Sequence, residues 1–311
     1  MFQAHILRAT LATGIFLLSN WLFYTLGAHS RVSPIVSKSS TSEDRDDIPS
    51  ELQYLTQSID LAKEKRREVL TFLKQPVIND FNVTYKVTQG WKCKNSIPKT
   101  IIIVPSARQN FSRRQRFRKG PIANYTMNNP DAVYVFFVGF GHDAMGELDE
   151  EIQTCNDIVL NGFGDTYRNI LLKHVSMINW VLHYCPGTEF VLRFDDDVGL
   201  KSDLESVIKA LERHRKSRTN FILGTQRVGA LPNRELGWRN TLTTHEYTSD
   251  VFPPFVLGGA MGYPLSTGRL LYQAARRMKT IWLDDVFITG ICAEAVGIPT
   301  FNDVNLRFDH F

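Results

Sequence analysis

No CxxC pair occurs among the four cysteines, Cys93, Cys155, Cys185 and Cys292. A zinc ribbon or a thioredoxin-like redox site is therefore not expected. No GxxxxGK[ST] segment occurs either, which makes a P-loop phosphotransferase remote. Charge imbalance is slight: 36 Lys and Arg oppose 32 Asp and Glu, for a net +4. That leaves no visible nucleic-acid footprint. What is present is ordinary for a globular chain: 311 residues, 43% hydrophobic and 22% charged, room for one large domain plus extras. In an oxidising compartment the even cysteine number allows two disulfides in any of three connectivities.

The run Ala9–Ala28 carries no charge and is about long enough to cross a bilayer as a helix. Trp21 and Tyr24 suit its interfaces, and Arg8 precedes it. Its rival is a cleaved signal peptide, because Ala28-His29-Ser30 offers small residues at cleavage spacing. The expected plan is a cytoplasmic tail over 1–8, a signal-anchor helix over 9–28, a stem over 29–90 and a folded body over 91–311. Residues 31–50 read as a Ser/Thr/Asp-rich tether. Residues 51–73 read as a helix that Pro76 ends. Three sequons, at Asn82, Asn110 and Asn124, fit a secretory lumen.

From Lys99 the pattern alternates between strand and helix. Apolar strands read at 100–104, 132–139, 156–160, 190–194 and 220–224. Helices read between them and again over 270–278 and 286–296. Alternation of this kind implies a mainly parallel sheet covered on both faces. Ligands in such sheets sit at the carboxyl ends of strands. Arg108, Arg113, Arg114, Arg116, Arg118 and Lys119 cluster after the first strand. They form either a solvated helix face or a site for a diphosphate. Gly258–Gly262 is either a close approach to a ligand or a turn. Trp238 is either a platform for a sugar or a packed side chain.

At the end of the strand Phe190–Phe194 stand Asp195, Asp196 and Asp197. Three carboxylates in a row need positive charge nearby. Mg²⁺ or Mn²⁺ carrying a diphosphate would supply it, since both take hard oxygen ligands. A solvated turn capping the next helix is the plainer alternative, though Ser202 and Asp203 can cap that helix equally well.

Taken together these stretches resemble the beta-1,3-galactosyltransferase family of hexosyltransferases over about Ile101 to Phe301. The resemblance is carried by Arg113–Arg118, Val135–Gly139 and Asp157-Ile158-Val159 with Phe163, Asp165, Tyr167, Asn169, Leu172 and Lys173. It continues through Trp180, Cys185-Pro186, Phe194–Asp197, Pro232, Arg234, Glu246, Tyr247, Pro253, Pro254 and Gly258–Gly262. It ends on Leu283-Asp284-Asp285-Val286 with Gly290, where Asp284 replaces the Glu of a Glu-Asp-Val motif. Gly120-Pro121 stands where the family has Thr-Trp. Members usually run further and supply a late His near the metal; His310 is the candidate here.

The resemblance implies a GT-A-like, Rossmann-type mixed and mainly parallel sheet with flanking helices, in a single-pass type II Golgi membrane protein with a lumenal catalytic domain. It implies an inverting, Mn²⁺- or Mg²⁺-dependent transfer of galactose or an N-acetylhexosamine. The donor would be a UDP-sugar and the acceptor a glycan on glycoprotein or glycolipid, joined in beta-1,3 linkage. Asp285 is then the base and Asp284 its alternate. Asp195, Asp197 and His310 are expected on the metal, and Asp195, Asp196, Arg114 and Arg118 toward the nucleotide. The alternative is an inactive relative that binds sugar or partners another glycosyltransferase. Intact acidic motifs speak against it.

Overall fold

The computed structural model describes residues 63–94, 96–141 and 145–310. It opens with α1 (Lys63–Leu73), β1 (Tyr85–Val87), β2 (Thr100–Pro105), α2 (Phe111–Arg118), α3 (Pro121–Asn128), β3 (Ala132–Phe140) and α4 (Met145–Cys155). There follow β4 (Ile158–Gly164), α5 (Ile170–Tyr184), β5 (Phe190–Phe194), β6 (Val198–Leu200), α6 (Leu204–Ser217) and β7 (Ile222–Arg227). The last elements are β8 (Phe255–Pro264), α7 (Leu265–Ala275), a π-helix (Val286–Cys292), β9 (Thr300–Asn302) and β10 (Phe308–His310).

Eight strands form one sheet in the order β1-β4-β3-β2-β5-β8-β7-β9. Strands β4, β3, β2 and β5 run parallel, while β8 lies antiparallel between β5 and β7. Every residue of β2 and β5 is buried. A strand buried on both faces is largely apolar, and both are, with Thr100 and Arg193 as the exceptions. Ile101 and Ile103 join one core cluster, with Trp180 of α5 and Leu271 of α7. Ile102 and Val104 join the other, with Phe117 of α2 and Leu211 of α6. The two-residue period of a strand thus divides β2 between two helical layers.

Several expectations change here. The body reaches back into the stretch assigned to the stem: β1 pairs with β4, and Val69 and Leu73 are buried in the core. The strand expected over 156–160 starts later and runs further, because β4 spans Ile158–Gly164. Gly258–Gly262 is neither a turn nor an open approach but the middle of β8. A Cβ at Gly258 would stand 2.6 Å from Arg193 Nη1, so the glycine is where the strand admits that side chain. Gly120 precedes Pro121 at the first turn of α3, a position that needs no N–H. One disulfide forms, Cys93–Cys185, while Cys155 and Cys292 are free thiols. Residues 9–28 lie outside the described residues. Among those described, no helix is long and apolar enough to cross a membrane.

Candidate active site

The acidic run leaves β5 at the carboxyl end of the parallel strands, facing a cleft of about 400 Å³. Asp195, Asp196, Asp197, Asn110, Arg113 and Lys173 are among its walls. The three carboxylates have different surroundings. Asp196 is buried and accepts from Ser106 Oγ at 2.6 Å, Asn110 Nδ2 at 2.9 Å and Arg113 Nη1 at 3.3 Å. It therefore fastens the loop after β2 to the end of β5. Asp197 accepts from Arg113 Nη1 at 2.7 Å and stands 3.3 Å from His310 Nδ1. The antiparallel pairing of β10 with β6 puts His310 opposite Val198, and so beside Asp197. Asp195 accepts from Arg193 Nη2 at 3.0 Å. Burial pushes Asp195 up to about 7; Arg193 pulls the other way, and Asp284, Asp197 and Asp196 add to the rise.

Arg193 is an inward residue of β5, 1% exposed. Its guanidinium donates to Gly258 O at 2.7 Å through Nη1 and bridges Asp195 and Asp284, at 3.0 and 3.2 Å, through Nη2. One buried cation thereby joins the acidic run to the pair Asp284-Asp285. Asp284 Oδ2 also meets His174 Nδ1 at 2.9 Å. Burial opposes the charge of Asp284, but Arg193 and then His174 outweigh it and hold the group below its ordinary range. Asp285 caps the π-helix, accepting from Val286 N at 2.8 Å and Gly258 N at 3.3 Å. Burial, with the neighbouring charge of Asp284, pushes Asp285 up to about 6. The two adjacent carboxylates are thus set apart: one ionised and clamped, the other more basic.

The arginine cluster divides along α2. Arg114, 1% exposed, binds Glu151 through Nε and Nη2 and donates to Ser106 Oγ and Ala107 O through Nη1. Arg118 binds Glu151 and Asp157. Both point to the inner side of the helix, four residues apart, as one helical turn requires. Neither lines the cleft; Arg113 does.

Asp197 Oδ1 and His310 Nδ1 are separated by about the distance between adjacent ligands on an octahedral ion with bonds of about 2.1 Å. The donor chemistry fits a hard divalent ion, with carboxylate and imidazole beside a carboxylate whose proton affinity is raised. Among the described residues no group of three or more His, Cys, Asp or Glu side chains forms a ready cage. Such an ion would complete its shell from phosphate oxygens and water, as Mg²⁺ commonly does.

A family model described as galactosyltransferase matches residues 112–304, more than half of the chain and both acidic segments. This chain is a member of the galactosyltransferase family. Beta-1,3-galactosyltransferase 1 of Mus musculus is 24% identical over 236 residues, covering 75% of this chain and 71% of that protein. Beta-1,3-galactosyltransferase 5 of Pan troglodytes is 27% identical over 226 residues, covering 70% and 75%. Among solved structures, the mannosyltransferase Ktr4p from S. cerevisiae aligns over 90% of this chain and 83% of its own at 10% identity. The TM-score is 0.37.

In this galactosyltransferase-family protein, Ser106, Asn110, His174 and Arg193 were not anticipated at the site. Arg193 had a legible signal, a charge inside an otherwise apolar strand. His174 had none, since a lone histidine on an apolar helix face is most simply a packed residue. Asn110 stands in a sequon, yet its amide donates to Asp196.

Proposed function

We propose that the protein transfers a hexose from a UDP-sugar to a hydroxyl of a glycan acceptor, with inversion, in beta-1,3 linkage. Arg193 carries the reading: it brings a cation-seeking acidic run and a basic carboxylate to one place, across 90 residues of sequence (285 − 195). Asp285 takes the acceptor proton as the acceptor oxygen bonds to the anomeric carbon; the bond from that carbon to UDP breaks, and UDP departs with the electron pair. A carboxylate near 6 is ionised at neutral pH yet basic enough to assist. Asp284, tied to Arg193 and His174, is the anchor rather than the base. Asp197 and His310, with Asp195, would hold Mn²⁺ or Mg²⁺, whose chemistry is to neutralise the departing diphosphate. Arg113 meets the phosphates in place of Arg114 and Arg118.

A panel of UDP-sugars with and without Mn²⁺, read by UDP release and by product linkage, tests this. No release with UDP-galactose or with a UDP-N-acetylhexosamine would leave the rival, a sugar-binding or chaperone-like partner of another glycosyltransferase. The same reading puts the body in the Golgi lumen, anchored through residues 9–28. It is supported by the Cys93–Cys185 disulfide, which an oxidising lumen permits. Asn82 and Asn124 are exposed and open to a glycan. Finding both bare in protein made in secretory cells would count against a lumenal body.

A further inference from the structure

His174 belongs to no motif of the site and lies on α5, 110 residues from the carboxylate it touches. Its side chain is completely buried, 0% exposed. Burial lowers the affinity of its ring for a second proton, so the imidazole is neutral and carries one N–H. Asp284 is ionised and can only accept, which assigns that hydrogen to Nδ1. The other ring nitrogen, Nε2, is buried with no partner. A merely packed histidine at this place could be replaced by an apolar side chain with no loss of hydrogen bonding. This one leaves a polar atom unsatisfied in order to make a single directed contact, and leaving such an atom buried is costly.

That contact has a geometric consequence. Asp284 Oδ2 receives Arg193 at 3.2 Å and His174 at 2.9 Å. Arg193 is itself held by Gly258 O and Asp195, so it follows the end of β5. Among the described residues, it is His174 that ties Asp284 to α5, an element that carries none of the acidic residues. Asp284 immediately precedes Asp285, and the peptide between them sets where the Asp285 carboxylate points. Asp285 adds its own caps, Val286 N and Gly258 N. A carboxylate that must meet one acceptor hydroxyl needs this kind of support from behind.

We infer that His174 is a positioning residue for the transfer, acting through Asp284 on the orientation of Asp285. The inference rests on the reading of Asp285 as the base. His174 touches neither nucleotide nor acceptor and does no proton transfer of its own. Its contribution falls on the turnover step, because Asp196 and Asp197 are held by Ser106, Asn110 and Arg113, none of which His174 touches; α5 reaches that side through Lys173, on Ser106 O at 2.8 Å.

The test compares His174→Leu, which keeps bulk but donates nothing, with His174→Asn, whose Nδ2 can take the place of the donating nitrogen. Both are made in the full chain, with kcat, donor KM and the melting temperature measured on each. The expected result is a fall in kcat of about tenfold or more for His174→Leu, a donor KM within about twofold of the parent, and recovery of most of kcat in His174→Asn. A His174→Leu protein that turns over within about twofold of the parent would overturn the inference, as would equal losses in kcat and KM for both variants. If His174→Leu does not fold, His174→Gln replaces it. Its amide sits one methylene further out and misses Asp284, so Gln is expected to be slower than Asn, and equal rates overturn the idea. A parent protein that transfers nothing refutes the enzymatic reading; a parent that transfers while the variants are unaffected refutes only the role of His174.

Discussion

Asp284 and Asp285 are neighbours in sequence with opposite environments. Arg193 and His174 surround one; backbone N–H groups and a neighbouring negative charge surround the other. Replacing Asp285 by Asn keeps one of the two caps, since the amide has a single acceptor oxygen, and removes the proposed base. Transfer is expected to fall by about a hundredfold or more, with UDP affinity by calorimetry unchanged; equal loss of both would refute the assignment. The pH dependence follows from the same group. As the proposed base, Asp285 would act only when deprotonated, and burial beside Asp284 raises it to about 6. Its activity is therefore absent well below that pH and present above it. The kcat/KM profile should rise with pH through about 6 and level off toward neutrality. An acid limb near 4, the ordinary carboxylate range, would mean that another group titrates.

On α2, three of the four arginines within six positions have two fates. Arg114 and Arg118 share the inner side with Phe117 and close on Glu151 and Asp157, whereas Arg113 is 43% exposed on its side chain and reaches Asp196 and Asp197. Arg114→Met removes one of the two arginines that hold buried Glu151 and leaves that carboxylate to Arg118 alone. It is expected to cost about 1–3 kcal/mol of stability in urea unfolding. Arg113→Met should leave the urea midpoint nearly unchanged and weaken UDP binding about tenfold, the loss of one charge-assisted contact. The reverse pattern would show that the helix had been read with the wrong face to the cleft. Sequence clustering alone could not separate these residues. The distinction depends on which side of α2 meets α4, where Glu151 lies, and the start of β4, which Asp157 precedes.

For the molecule as a whole, the Cys93–Cys185 disulfide spans 92 residues and fastens the segment before β2 to the end of α5. It closes a loop that contains β2, β3 and β4. Removing it as a Cys93→Ser, Cys185→Ser pair is expected to lower unfolding free energy by about 2–5 kcal/mol, measured in urea. A reducing agent should destabilise the parent and not the double variant. Unchanged stability in both would mean that the bond contributes nothing to the body. The cysteine count had allowed three connectivities and two bonds, and nothing local chose between them. Cys292 is buried on the π-helix and Cys155 ends α4.

The sequence alone determined the elements that depend on local chemistry. The apolar runs became the buried strands, the acidic triplet fell at the end of β5, and Asp203 caps α6 by accepting from Ser206 N at 2.7 Å. It also placed Asp285 at a helix start, because a cap needs only its own next residues. Tertiary structure decided everything that required distant partners. Gly258–Gly262 became a strand because β5 and β7 flank it and Arg193 fills the space where a side chain at Gly258 would stand. Arg193, a charge in an apolar strand, had its meaning only once Asp195 and Asp284 met it from either side. His174 became part of the site because α5 packs beside the sheet where the π-helix begins. Hydrophobic period specifies which face of an element is buried. The identity of the group across that face depends on the path of the whole chain.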